Sequence, residues 1–226
     1  MRLVSLPGVF RPISDTWLLA DALDREPLPP GARVLDLCSG SGALAVRAAL
    51  GGPDREVWAV DVSRRAVLTI RINAALNGVR VRAVRGDLFA AVAGRRFDAI
   101  VSNPPYVPAA ADALPNRGRE RAWDAGRDGR ALLDRICTGA PAHLRPGGVL
   151  LVVHSSLLGL APTVEALDGL EVDVAARETG PLGPLMRARR AAGLIPPDAD
   201  EEDVLVVRGR NPASTRCRSE RLDVTM

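Results

Sequence analysis

Residues 33–50 read RVLDLCSGSGALAVRAAL, and the fold turns on how that stretch divides. Arg33–Cys38 is a short apolar run of the kind that forms a strand covered on both faces. Ser39-Gly40-Ser41-Gly42 interrupts it, and Ala43 to about Leu50 resumes with helix-favouring Ala, Leu and Val. Strand, glycine turn and helix in that order open a βαβ unit, so a parallel sheet lies at the centre of the chain.

The same alternation continues outward. Glu56–Asp61 (EVWAVD) reads as a second strand, and Ser63 caps a helix with Ala66, Val67, Ile70 and Ala74 on one face, ending at Asn77-Gly78. Val79–Val84 and Phe97–Ser102 are the third and fourth strands. Asp128 is expected to cap a helix burying Leu132, Leu133, Ile136 and Ala140, and Val149–Val153 is a fifth strand. Two late strands fall at about Leu170–Ala176 and Asp203–Arg208. A sheet wound this way takes ligands beyond the carboxyl ends of its strands, at the switch point beside the first one.

Four stretches stand apart. Residues 1–30 hold a helix from Ser14, its cap, to about Leu23, then a Pro-rich linker, together packed on a catalytic domain of residues 31–210. Residues 109–127 form a polar loop with Gly and Arg. Residues 178–200 are Pro-rich and basic, then acidic, and separate the two late strands. Residues 211–226 read as a disordered tail.

Composition narrows the function classes. At 226 residues with 47% hydrophobic side chains the chain supports one well-buried domain, and its net charge of +3 permits an anionic partner without demanding one. Only 3% of residues are aromatic, which disfavours a nucleic-acid surface built on stacked rings. All cationic side chains are Arg, a pattern that codon bias explains. Cys38, Cys137 and Cys217 are scattered with no neighbouring His, so no metal site is expected and a reducing compartment is. His143, before the Arg145–Gly148 turn, and His154, ending an apolar run, take structural roles. With no signal pattern and no apolar run of membrane-spanning length, a cytoplasmic location without membrane partners is expected.

The residues that follow the strands carry the chemistry. Gly40 and Gly42 let backbone approach a ligand, although Gly40-x-Gly42-x-x-Ala45 also satisfies the dinucleotide fingerprint and a tight turn needs no ligand at all. Asp61, with Val62 beside it, ends the second strand where a carboxylate accepts ribose hydroxyl hydrogens. Asp36 sits just before the glycines, where it would repel a pyrophosphate but suit an ammonium and a sulfonium. Asp87 follows the third strand and can accept from an adenine amino group while Leu88 packs on the ring. Three carboxylates at three strand ends fit a cationic nucleoside, S-adenosylmethionine.

Asn103-Pro104-Pro105-Tyr106 follows the fourth strand. An amide or exocyclic NH₂ offers two donors, which the Asn103 side-chain oxygen and the Pro104 carbonyl can accept. Two prolines fix that backbone in advance, and Tyr106 supplies a flat face against the planar group. The pattern points to methylation of a planar, conjugated nitrogen and needs no strong base.

Asp36–Gly42, Asp61, Asp87 and Asn103–Tyr106, in that order, resemble the class I methyltransferases. That likeness implies an α/β, Rossmann-like fold with a doubly wound, mostly parallel seven-stranded sheet whose last strand is antiparallel. More narrowly the chain resembles the HemK-type glutamine methyltransferases that modify peptide-chain release factors. Phe10-Arg11-Pro12-x-x-Asp15-Thr16-x-Leu18-Leu19 is similar to the amino-terminal segment of their short branch, and Ala122–Gly129 (AWDAGRDG) to the stretch after the catalytic motif. The resemblance implies that Asn103, Pro104 and Tyr106 hold a glutamine amide of a release factor. It implies that Thr16 meets the methionine carboxylate of the cofactor and that Asp36, Asp61, Asp87 and Leu88 hold the rest. Cys38 stands where many relatives have the loop's first glycine; Gly40 and Gly42 should preserve binding. A small zinc-containing activator subunit is a possible partner by the same likeness. The competing readings are methylation of a small molecule or of a nucleic-acid base, and a binding module without turnover, which would have no use for the acceptor pair of Asn103 and Pro104.

Overall fold

The computed structural model describes residues 1–115, 118 and 120–213. Among the described residues one sheet holds seven strands: β1 (Arg33–Leu37), β2 (Glu56–Asp61), β3 (Val81–Arg85), β4 (Phe97–Ser102), β5 (Leu144–Ser155), β6 (Glu171–Pro181) and β7 (Glu201–Arg210). Their order is β3-β2-β1-β4-β5-β7-β6, parallel from β3 to β5, with β7 antiparallel to both of its neighbours. The α/β class and the antiparallel last strand are therefore as expected. The chain winds one way from β1 to β3 and the other way from β4, so the switch point lies between β1 and β4.

Alternation along β1 builds both cores. Val34 faces a layer of Leu19, Leu23, Leu44, Ala45 and Ile70, supplied by α1 (Ser14–Asp24), α2 (Ala43–Leu50) and α3 (Arg64–Leu76). Leu35 and Leu37 face the other layer, with Phe89, Phe97, Ile136 and Leu150, under α4 (Leu133–His143). Both faces of the central strands are dry, which is why they read as continuous apolar runs rather than alternating ones.

The amino-terminal segment is woven into this body. Asn73 on α3 accepts from the Val4 amide at 2.8 Å and donates to the Val4 carbonyl at 2.9 Å. Glu26, its side chain 3% exposed, takes ion pairs from Arg208 at 3.0 Å and Arg210 at 2.5 Å on β7. Such partners offset the cost of burying an ionised carboxylate.

Several boundaries differ from expectation, each for a local reason. α1 begins at Ser14 without a side-chain cap, because the capping position falls on Ile13, and the Ser14 hydroxyl donates to its neighbour Asp15 (3.2 Å). α4 starts at Leu133 rather than after Asp128. Asp128 accepts from the Arg130 amide at 2.8 Å, in a turn that passes through Gly129 at φ +72°. Arg145–Gly148 lies inside β5 as an excursion: Phe97 pairs with Leu144 and Ala99 with Val149, so four residues oppose Asp98 alone. Residues 178–200 are a hairpin excursion rather than a plain linker. β6 runs to Pro181, then α6 (Pro184–Ala191) opens on a proline that suits a first helical turn. A short α5 (Ala161–Ala166) had no counterpart in the sequence reading. Asn211 still pairs with Gly147 and Gly148, and the expected tail lies outside the described residues from Ser214 onward, Cys217 with it.

Both described histidines are occupied structurally. The His143 ring stacks on Phe89 at 4.3 Å, and buried His154 contacts the Ser155 carbonyl and the Thr163 hydroxyl. Among the described residues no helix is long and apolar enough to cross a membrane.

Candidate active site

The loops after β1, β2, β3 and β4 converge on a cavity of about 620 Å³. Gly40, Asp61, Val62, Asp87, Leu88, Cys38 and the whole of Asn103–Tyr106 line it, so residues far apart in sequence meet where the switch point predicts.

Its floor is the glycine loop. Cys38 has φ +56° and Gly40 φ +53°, left-handed conformations that turn the chain sharply out of β1. A glycine would take the first of these more readily than Cys38 does. Gly42, at φ +78°, has no room for a side chain: a Cβ would lie 2.9 Å from Cγ1 of Ile70 on α3. Burial pushes the Cys38 thiol up, aided by the Asp61 and Asp36 carboxylates, so it stays neutral.

Asp61 organises the adjoining wall. One oxygen accepts the Gly40 amide at 2.9 Å and the other the Ser63 amide at 2.8 Å. Burial raises its pKa, and those two amides oppose the rise. Farther along, Asp87 is exposed and paired with Arg135 of α4 at 2.7 Å, and Leu88 is buried at φ +45°.

Asp36 is placed differently. Its side chain leaves β1 on the α2 face, is fully buried, and accepts the Ala45 amide in the first turn of α2 at 3.1 Å. Oδ1 is buried with no hydrogen-bond partner among the described residues. Burial raises its pKa to about 7 against the opposing pull of Ser39 and the Ala45 amide. Asp36, Thr16 and Gly42 thus stand behind the cavity wall rather than on it.

The cavity's other side is built around Asn103–Tyr106. The Ser102 hydroxyl donates to the Leu37 carbonyl at 2.9 Å, fastening the end of β4 to β1. Val107 and Ala109 then pair with residues 123–126, through Val107 amide to Trp123 carbonyl (2.8 Å) and Ala125 amide to Val107 carbonyl (3.0 Å). The Ala122–Gly129 stretch therefore pairs with the segment that directly follows Asn103–Tyr106. A Cβ on Gly129 would lie 2.5 Å from the Tyr106 carbonyl oxygen, so only glycine allows the approach. Asn103 Nδ2 donates to the Thr16 hydroxyl at 3.2 Å, and the Tyr106 hydroxyl donates to Asp15. Leu114, Arg121, Trp123 and, from α6, Leu185 complete the outer wall. Asp15, Arg135 and Leu185 were absent from the sequence-derived site. Asp15 lay within a quoted motif, whereas the other two come from helices with no distinguishing pattern. Among the described residues no group of three or more His, Cys, Asp or Glu is placed to hold a metal ion.

Comparison with known proteins adds a family to this geometry. Residues 1–116 match the model of the methyltransferase small domain. A Methanocaldococcus jannaschii protein named for protein N5-glutamine methyltransferase activity is 34% identical over 80% of this chain and 90% of its own length. The release factor glutamine methyltransferase of Deinococcus radiodurans is 38% identical over 85% of this chain and 71% of its own. That of Bordetella pertussis is 44% identical over 66% of this chain, which spans only 57% of that relative. Among solved structures, the Thermus thermophilus 16S rRNA N2 G1207 methyltransferase, in complex with AdoMet and guanosine, superposes with a TM-score of 0.61. It is 25% identical over 92% of this chain and 46% of its own.

Proposed function

Because this chain belongs to the methyltransferase small-domain family and is an S-adenosylmethionine-dependent methyltransferase, we propose that it methylates the side-chain amide nitrogen of a protein glutamine, that of a peptide-chain release factor. The observation that carries this reading is the arrangement of Asn103: with Nδ2 spent on Thr16, its Oδ1 is the atom left to accept from a substrate NH₂ at the cavity. The identities with N5-glutamine methyltransferases direct the choice of acceptor.

The residues present suit the cofactor. Asp61 keeps lone pairs for two ribose hydroxyls after taking the Gly40 and Ser63 amides, and the orphaned Oδ1 of Asp36 leaves an unused polar atom behind the loop. Gly40, Cys38 and Val62 would bound the ribose and methionine end, and Asp87 and Leu88 the adenine. S-adenosylmethionine supplies a methyl group on a cationic sulfur.

The chain's own residues do the positioning. Asn103 Oδ1 and the Pro104 carbonyl would each accept one amide hydrogen, which points the nitrogen lone pair along one line. Such orientation lowers a barrier by roughly 7–11 kcal/mol in favourable cases. Tyr106 would pack against the planar amide, and an acceptor seated against the apolar side chains of Leu114, Trp123 and Leu185 would displace water there, which favours a step that disperses charge. Once alkylated the nitrogen is cationic and loses one of its two hydrogens as a proton to solvent, so no side chain has to remove it beforehand.

The test is incubation of release factor, enzyme and isotopically labelled cofactor, with and without a candidate zinc-containing activator subunit, followed by tandem mass spectrometry. Label on the loop glutamine supports the reading. Label confined to nucleic acid or to a small molecule would transfer the same chemistry to another acceptor.

A further inference from the structure

We propose that Asp15, the second residue of α1, is a positioning residue for methyl transfer: it holds the phenol of Tyr106 so that the acceptor site exists before substrate arrives. The proposal rests on the acceptor site described above.

Two neighbouring residues of one helix reach two residues of one catalytic motif. Asp15 accepts the Tyr106 hydroxyl, and Thr16 accepts from Asn103 Nδ2 at 3.2 Å. The partners are 91 and 87 residues apart in sequence, so the contacts are tertiary and arise only when α1 docks. Both α1 side chains are buried, at 6% and 4% exposure, in a helix otherwise anchored by Leu19 and Leu23. Burial of the two α1 side chains leaves few alternative partners on their side, so each contact favours one orientation of its partner.

The consequences differ at the two ends. Thr16 occupies the amide nitrogen of Asn103 and so tethers that side chain to α1. Asp15 fixes the Tyr106 ring about its long axis, because the hydroxyl hydrogen must point at the carboxylate. Tyr106 and Asp15 both line the cavity, so the ring's tilt sets the width available to a planar acceptor. Burial, then the charge and hydrogen bond of Asp15 and the charge of Glu202 on β7, the two charged groups facing the phenol, raise its pKa well above the ordinary 10.0. The phenol therefore remains a donor. A carboxylate at this place has no charge partner on its own helix, since Ser14 offers only a hydroxyl.

The chain contains a single tyrosine, so its tyrosinate absorbance reports Tyr106 alone. Spectrophotometric titration of the full chain, with circular dichroism followed in parallel, should show Tyr106 ionising at lower pH in Asp15→Asn than in the native chain. This reading does not depend on which acceptor the enzyme uses. Steady-state kinetics on the methylated acceptor should show Asp15→Ala losing up to about 100-fold in kcat, with S-adenosylhomocysteine affinity within a few-fold of native. Asp15→Asn, which still accepts a hydrogen bond, should recover most of that loss. Combining Asp15→Ala with Tyr106→Phe should cost no more than the worse single change, because the two act as a unit. An unchanged titration, effects that multiply in the double variant, or a loss confined to cofactor affinity would each overturn the proposal. Native enzyme that labels no release factor would count against the acceptor alone, and the titration would still decide the role of Asp15.

Discussion

Asp61 accepts the Gly40 amide at 2.9 Å, so the carboxylate that ends β2 and the glycine that follows β1 form one unit. The first two strands lie side by side, Leu37 paired with Val60, which brings their carboxyl ends within hydrogen-bonding reach. A single charged group thereby shapes the floor of the cavity and presents its remaining lone pairs to it.

Asp61→Ala should weaken binding of S-adenosylhomocysteine by roughly 1.5–3 kcal/mol, the worth of hydrogen bonds to a charged acceptor. Removal of the Gly40 anchor should add to the loss of ribose contacts, so Asp61→Asn, which can still accept that amide, should bind with intermediate affinity. Isothermal calorimetry decides it; equal affinity across the three proteins would confine Asp61 to strand-end packing.

Asn103→Ala should reduce kcat strongly while cofactor affinity stays within a few-fold, because its oxygen serves the acceptor and the transition state. Single-turnover assays beside calorimetry separate the two. Near-native turnover would remove Asn103 from the mechanism.

Gly42→Ala should destabilise the fold by about 2–4 kcal/mol, combining a left-handed backbone for a residue with a Cβ and overpacking against Ile70. Cys38→Gly makes the opposite test. It relieves a left-handed φ at the cost of chain entropy, so stability should change by less than about 1 kcal/mol. Denaturant melts of both variants check the contrast.

Asp36 gives a pH prediction with a definite sign. Its pKa is raised from 3.8 to about 7 by burial, so between those values the folded state holds a proton that the unfolded chain has lost. Stability should therefore fall as pH rises from about 4 to about 7. Asp36→Asn, always neutral, should lack this contribution, and its melting temperature relative to native should climb across that window. Parallel melting curves for the two proteins would show that Asp36 is ionised throughout.

How far a sequence can be read is set by the range of the interactions involved. The strands from Arg33, Glu56 and Phe97 were legible because burial on both faces demands apolar runs, and the loops after them because glycine, aspartate and proline impose local geometry. The motif Asn103–Tyr106 was legible for the same reason. The α4 boundary was not: Asp128 is as good a cap as Ser63 by residue type, and only the packing of Gly129 under Tyr106 diverts it into a turn. α6 was hidden by its Pro and Arg content, and it forms because Leu182, Met186 and Ile195 bury themselves against Val107.

The α/β class, the switch point and the residue types that gather there follow from periodicity or from backbone constraints acting over a few residues, so they are legible along the chain. Which of those residues face the cavity depends on how the layers pack. Asp36 turns under α2 because side chains alternate along a strand, and that parity sends it to the helix face. Asp15 joins the site because α1 docks beside β5, bringing a carboxylate onto Tyr106 from 91 positions away. Pairings of that kind depend on the packing of whole layers, and no local pattern of residues encodes them.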